Sequence, residues 1–358
     1  MVIGRKNWKR QRKVLKAAEG IWNFWGECFG VALDSVLSWG YVTNSFSFGF
    51  ALWQQGGSMT YKELYDQGKR VLDSAGVMEA ELDARLLLEY VCETNRNDLL
   101  VHGDRVVESA KQEVYEDLIG KRGKRIPLQY LTGVQNFMGL DFCVDSHVLI
   151  PRQDTEVLVE EVLRNLHDGM HVLDMCTGSG CILISLLHYT NHCDGLGVDI
   201  SEEALTVARR NSANLLPKES DAGAEEGFGR ICFLQSDLFQ AVEGKFDVIV
   251  SNPPYISSQT MENLMPEVGE YEPRLALDGG SDGLMFYRRI LEECREYLFG
   301  GGMLFFEIGQ EQAEAVSNLM EQAGFLEIQV VKDYAGLDRV VFGTMGFREP
   351  EKVSESGE

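Results

Sequence analysis

The chain has 358 residues, 44% hydrophobic and 25% charged, which excludes a wholly disordered, collagen-like or coiled-coil protein. A net charge of −23 excludes a protein that holds nucleic acid by bulk positive charge. Eight cysteines form no Cys-x-x-Cys pair and carry no metal-type histidine spacing, so neither a zinc site nor a disulfide framework is expected, and the compartment reads as reducing.

Residues 1–58 differ from the rest. They hold seven Lys/Arg against three acids, which leaves 26 basic and 53 acidic residues after them, a net −27. All five tryptophans (Trp8, Trp22, Trp25, Trp39, Trp53) fall here, and Val36–Trp53 runs 18 residues without a charge. That length approaches a bilayer span. Ser38, Thr43, Asn44 and the glycines Gly40 and Gly49 interrupt it, so no membrane association is expected. The segment is read as an atypical extension outside the fold, with Met59 opening an ordinary domain.

Residues 59–126 read as a small helical domain. Its apolar stripes are Tyr61, Leu64, Tyr65, Val71, Leu72, then Leu82, Leu86, Leu87, Tyr90, Val91, then Val114, Tyr115, Leu118, Ile119. Residues 127–150 change to a shorter period, with Phe137, Leu140, Phe142 and Val144 around Met138-Gly139, and predict a β-hairpin connector. From 151 strands and helices alternate. Helices are predicted over 156–166 and 181–189, and strands at 171–175, 195–200, 231–235, 246–251, 302–308, 327–332 and 338–343. Repeated βα units with apolar strands predict an α/β fold with a mostly parallel sheet covered on both faces. Residues 217–230 read as a long mobile loop, and 348–358 as a disordered tail.

Two turns carry the chemistry. Asp174-Met-Cys-Thr-Gly-Ser-Gly180 joins a strand to a helix through small residues that let a ligand approach the backbone. About twenty residues on, Asp199 ends the next strand, where an acid hydrogen-bonds ribose hydroxyls in open α/β sheets. Together they predict an adenosine-type ligand at the carboxyl ends of the strands. A nicotinamide dinucleotide is excluded, because Cys176 interrupts the required glycine pattern. Asp237 follows the third strand, where it could meet an adenine amino group beside the apolar Leu238; it reads alternatively as a helix N-cap. The second turn, Asn252-Pro-Pro-Tyr255, comes straight off the fourth strand. Two prolines fix the backbone, so that the Pro253 carbonyl and the Asn252 side chain can face one –NH₂ group, with Tyr255 as an aromatic wall.

From about Met59 to Phe347 the chain resembles the HemK/PrmC family of protein-(glutamine-N5) methyltransferases, which act on peptide chain release factors. The resemblance rests on Leu128-Gln-Tyr-Leu-Thr-Gly133, Ile150-Pro-Arg-Gln-Asp-Thr-Glu156, Asp174–Gly180, Gly197-Val-Asp-Ile-Ser201, Asn252-Pro-Pro-Tyr-Ile256 and Glu272-Pro-Arg-Leu-Ala-Leu-Asp-Gly-Gly280. Cys176 departs from the family's usual glycine, and 1–58 has no counterpart in it. The resemblance implies a Rossmann-like class I methyltransferase domain over 151–347, with a seven-stranded sheet, and gives 59–126 the role of substrate recognition. It implies S-adenosylmethionine as cofactor, held by Asp174, Cys176, Thr177, Gly178, Ser179, Gly180, Asp199, Ile200, Asp237, Leu238 and Asn252. It implies that Asn252, Pro253, Pro254 and Tyr255 bind the glutamine of the Gly-Gly-Gln loop of class 1 release factors and form the catalytic set. No metal, no direct nucleic-acid contact and no membrane are expected of it, and it is expected to act as a cytoplasmic monomer.

Two other readings compete. A DNA adenine-N6 methyltransferase also uses Asn-Pro-Pro-Tyr on flipped bases, but would need a basic cleft. A non-enzymatic S-adenosylmethionine-binding interaction protein would need a broken acceptor turn, and Asn252 and Tyr255 are intact.

Overall fold

The computed structural model describes residues 58–216 and 230–346. The expected extension before Ser58, the loop 217–229 and the tail 348–358 lie outside the described residues.

The described chain opens with helices. Helix α1 (Tyr61–Ser74) starts at Thr60 with a capping box, in which Thr60 accepts from the Glu63 amide and Glu63 accepts from the Thr60 amide. Helix α2 spans Ala80–Cys92, α3 Arg96–Val101 and α4 Ser109–Gly123. The first and third stripes face inward in part: Tyr61, Leu64, Leu72, Tyr115, Leu118 and Ile119 are buried, whereas Val114 is exposed. The second is out of phase. Helix α2 buries Ala80, Ala84, Leu87 and Leu88, and leaves Leu82 and Tyr90 exposed. Tyr115 explains the shift. Its hydroxyl donates to the Ala84 carbonyl at 3.1 Å, and its ring lies so near α1 that a Cβ on Gly68 would stand 2.1 Å from that oxygen. Small residues face the ring, so the larger ones rotate outward.

The connector begins with a helical turn that hydrophobic patterning did not predict, α5 (Leu128–Thr132), closed by Gly133 at φ 73°. Strands β1 (Val134–Phe137) and β2 (Leu140–Cys143) then form the expected antiparallel hairpin around Met138-Gly139. Both turn residues have positive φ, as a two-residue hairpin requires. Phe137 and Phe142 pack edge to face, centroids 6.0 Å apart, and bury the hairpin against the sheet domain.

Seven strands follow in the order β5-β4-β3-β6-β7-β9-β8. They are β3 (His171–Met175), β4 (Asp194–Asp199), β5 (Ile231–Gln235), β6 (Phe246–Ser251), β7 (Leu298–Glu307), β8 (Phe325–Lys332) and β9 (Asp338–Met345). All neighbours are parallel except β9, which runs against both β7 and β8. This is the expected Rossmann-like class I architecture. The chain order reverses between β3 and β6, and the crevice at their carboxyl ends is where such sheets bind ligands. Strand β7 starts at Leu298, earlier than predicted, because a register shift lets Leu298 pair with Phe246 ahead of a glycine run that carries no hydrophobic signal.

Alternate strand residues supply two cores. On one face Leu173, Ile249 and Leu304 pack under α10 (Met285–Tyr297) and α11 (Ala313–Gln322). On the other, Val172, Val248 and Phe305 pack under α6 (Gln153–Asn165) and α7 (Cys181–Tyr189). Each such side chain contributes roughly 1.5–3 kcal/mol on full burial. Helix α8 (Glu202–Leu215) follows β4, and the short α9 (Pro266–Gly269) lies in the segment between β6 and α10. Among the described residues no helix is long and apolar enough to cross a membrane.

Charges tie the helices to this segment. Arg122 bonds Asp83 at 2.7 Å and Glu267 at 3.0 Å, and Arg125 grips both Glu267 oxygens at 2.6 Å. Asp83 and Arg122 are almost wholly buried, so losing one partner strands the other in low dielectric. Burial already raises the Asp83 pKa against the pull of Arg122. Asp83→Ala should therefore destabilise the protein by about 3–5 kcal/mol in denaturant titrations. Removing Lys69 from its exposed pair with Glu81 should leave the midpoint nearly unchanged.

Candidate active site

The β3–α7 turn builds one side of a cavity of about 300 Å³. Cys176, Gly178 and Gly180 adopt φ of 64°, 54° and 78°. The glycines serve different ends. A Cβ on Gly180 would approach Ile184 Cδ1 to 2.9 Å, so this glycine permits close helix packing. A Cβ on Gly178 would meet nothing within 4 Å, so its backbone lies open to a ligand. Cys176 holds a left-handed conformation without glycine's freedom, as does Leu238 at 52°, and both line the cavity.

Asp199 secures the turn. Its carboxylate accepts from the Gly178 and Ser201 amides, each at 2.9 Å, while the Thr177 amide donates to the Val198 carbonyl. Burial raises the Asp199 pKa although these amides oppose it. A carboxylate has about four lone-pair sites, so it keeps acceptor capacity for hydroxyls on the cavity side. Asp174 lies beneath, fully buried. Its Oδ2 accepts from the Thr177 hydroxyl at 2.6 Å and its Oδ1 has no partner. Burial pushes its pKa up to about 7. The same burial, with Asp199 and Asp174 nearby, drives the Cys176 thiol pKa far above its usual value, so this thiol is no nucleophile.

Thr177, Ser179, Asp199, Ile200, Asp237 and Leu238 line the same cavity, and Asp174 and Gly180 do not. Asp237 starts no helix, which removes its reading as an N-cap; the Ser236 hydroxyl accepts from the Ala241 amide instead. Its Oδ1 accepts from Arg289 at 2.9 Å. Arg289 and Phe286, both on α10, also line the cavity and carried no signal in the sequence.

The opposite wall comes from β6. The buried Ser251 hydroxyl donates to the Met175 carbonyl at 2.7 Å and pins the ends of β6 and β3 together. The chain then enters Asn252-Pro-Pro-Tyr255. Asn252 and Pro254 line the cavity, and Pro253 is buried behind them. Asn252 Nδ2 donates to the Thr155 hydroxyl at 3.4 Å. Tyr255, expected as an aromatic wall, does not line this cavity. Its ring packs against the core and its hydroxyl donates to Glu307 Oε1 at 3.3 Å. A buried phenol needs a partner, and Glu307 at the end of β7 is within reach.

The loop backbone is confined. Gln312 Nε2 donates to the carbonyls of Tyr255 and Gly283, at 3.1 and 3.2 Å. A Cβ on Gly279 would stand 2.7 Å from the Pro254 carbonyl oxygen, and one on Gly283 would stand 2.4 Å from that of Tyr255. Thr155, Arg152, Glu307 and Gln312 were not singled out as site residues.

Two buried carboxyls give the site a pH signature. Burial raises both Asp174 and Glu307 to about 7, and in Glu307 donors Thr155 and Tyr255 only moderate the effect. Unfolded, such acids ionise near pH 4, so between about pH 4 and pH 7 the folded state binds more protons. Their contribution is present below that window and lost as pH rises through it. The melting temperature should rise as pH is lowered from about 8 to about 6, and by less in Glu307→Gln. A flat or opposite dependence contradicts the assignment.

The cavity fits an adenosylated sulfonium cofactor. It offers an open glycine backbone, a carboxylate with spare acceptor sites at the β4 end, and a largely apolar lining around Leu238 and Pro254. Comparison with known proteins agrees. The family model for the PrmC N-terminal domain matches residues 63–133, and that for the methyltransferase small domain matches residues 152–268. A release factor glutamine methyltransferase of Geobacter sulfurreducens is 42% identical over 288 residues, covering 80% of this chain and 97% of that protein. Its namesake from Clostridium acetobutylicum is 40% identical over 269 residues, covering 74% and 91%. That of Caulobacter vibrioides is 37% identical over 289 residues, covering 80% and 96%. Relatives this similar, matched over nearly their whole length, place the chain in a family: it belongs to the release factor glutamine methyltransferases.

Proposed function

We propose that this protein methylates N5 of the glutamine in the Gly-Gly-Gln motif of class 1 peptide chain release factors, with S-adenosylmethionine as donor. The observation that carries the reading is Asn252, which enters the cavity at the end of β6, opposite the turn held by Asp199. The cofactor, when bound, supplies an electrophilic methyl group.

The chain's own residues must do the rest. An amide nitrogen is a weak nucleophile because its lone pair is delocalised into the carbonyl. Asn252 Oδ1 and the Pro253 carbonyl would accept its two hydrogens, aim the nitrogen and stabilise the positive charge that develops on it. Orientation of this kind supplies up to about 7–11 kcal/mol. Asp199 would take the ribose hydroxyls. Asp237, released or shared by Arg289, would meet the adenine amino group, with Leu238 against the ring. In this reading Asp174 and Gly180 shape the turn without touching ligand, and Tyr255 anchors the loop.

The helices of 59–126 would present the release factor to the acceptor turn, and the sheet domain would extend over 151–347. We place the enzyme in the cytoplasm as a monomer without direct nucleic-acid contact. The net charge of −23 supports the absence of direct nucleic-acid contact.

Asn252→Ala should lower turnover by orders of magnitude on a purified release factor, with the calorimetric affinity for S-adenosylmethionine much less affected. Near-normal turnover would remove Asn252 from the acceptor site. Asp199→Ala should weaken the cofactor by about 1.5–3 kcal/mol, the size of a hydrogen bond to a charged group. An unchanged dissociation constant would leave Asp199 a purely structural role. Equal methylation of DNA adenine and release factor would overturn the substrate assignment.

A further inference from the structure

Asn252 faces a choice that its own shape does not settle. Turned by 180° about its last bond, its carboxamide would present donors to the cavity in place of an acceptor. The surrounding side chains settle it. Nδ2 donates to the hydroxyl of Thr155 at 3.4 Å. Thr155 is 2% exposed and sits in the first turn of α6, where its β-branched side chain has few rotamers. That helix begins at Gln153, three residues before the predicted start, and so carries Thr155 to the cavity wall.

The Thr155 hydroxyl owns one hydrogen. The Glu307 carboxyl, also buried, accepts from the Tyr255 phenol at 3.3 Å. In the observed contact the Thr155 oxygen accepts from Asn252. Asn252 must then offer Nδ2 to Thr155 and Oδ1 to the cavity.

We propose that Thr155 is a positioning residue of the acceptor site, fixing Asn252 with its amide oxygen toward the substrate –NH₂. The inference rests on the reading of Asn252 as an acceptor-binding residue.

Thr155→Val keeps shape and burial and removes the hydroxyl. Its turnover should fall by about 10²-fold, as a displacement of about 1 Å near the chemistry does. The KM for S-adenosylmethionine should stay within about twofold. Thr155→Ser should restore most of the rate. Combined with Asn252→Ala, Thr155→Val should cost nothing further, because it acts through Asn252. Full activity of Thr155→Val beside an impaired Asn252→Ala overturns the positioning role, and so does a double variant whose losses multiply. Full activity of Asn252→Ala overturns instead the acceptor reading beneath it. If Thr155→Val does not fold, Thr155→Ala against Thr155→Ser runs the same cycle.

Discussion

The site depends on one hydrogen bond between two strand ends. Ser251, wholly buried at the end of β6, donates to the Met175 carbonyl at the end of β3. The glycine-rich turn leaves from Met175 and the Asn-Pro-Pro-Tyr turn from Ser251. The spacing of the two cavity walls is therefore set in the rigid sheet rather than in loops. In low dielectric such a bond is strong, and an unpaired carbonyl there would be costly. Asp199 extends the same scheme outward by bracing Gly178 and Ser201 with one carboxylate.

Confinement does the remaining work. The Asn252–Tyr255 turn is walled by the glycines at 279 and 283, which leave no room for a side chain, and Gln312 holds its Tyr255 carbonyl. Tyr255 leans back into the core onto Glu307. Two prolines restrict the backbone in any state, so little conformational freedom is left to lose when a substrate docks. A turn already in place suits chemistry that asks for orientation of a poor nucleophile.

Much of this was legible in the sequence. Apolar strands marked the sheet, and small residues after β3 and two prolines after β6 marked the two turns that line one cavity. What escaped notice was long-range. The phase of α2 is set by Tyr115, 31 residues beyond its acceptor Ala84. Thr155 lies 97 residues from Asn252, Glu307 lies 52 from Tyr255, and Arg289 lies 52 from Asp237. Such pairings leave no periodic trace along the chain. Tyr255 follows the same pattern: its ring packs on the core and its hydroxyl partner Glu307 lies far along the chain.

The ionic tie at Glu267 bears on how the helical region could be exchanged between relatives. Arg122 in α4 and Arg125 in the turn after it are separated in sequence from the segment that holds Glu267 by both turns that line the cavity. Among the described residues the Glu267 carboxylate, 15% exposed, forms its ion pairs with those two arginines. A helical region transplanted from a relative would leave that anion short of partners unless its arginines arrived in register. The helices and the segment 256–284 thus form one discontinuous module, to be exchanged together or not at all.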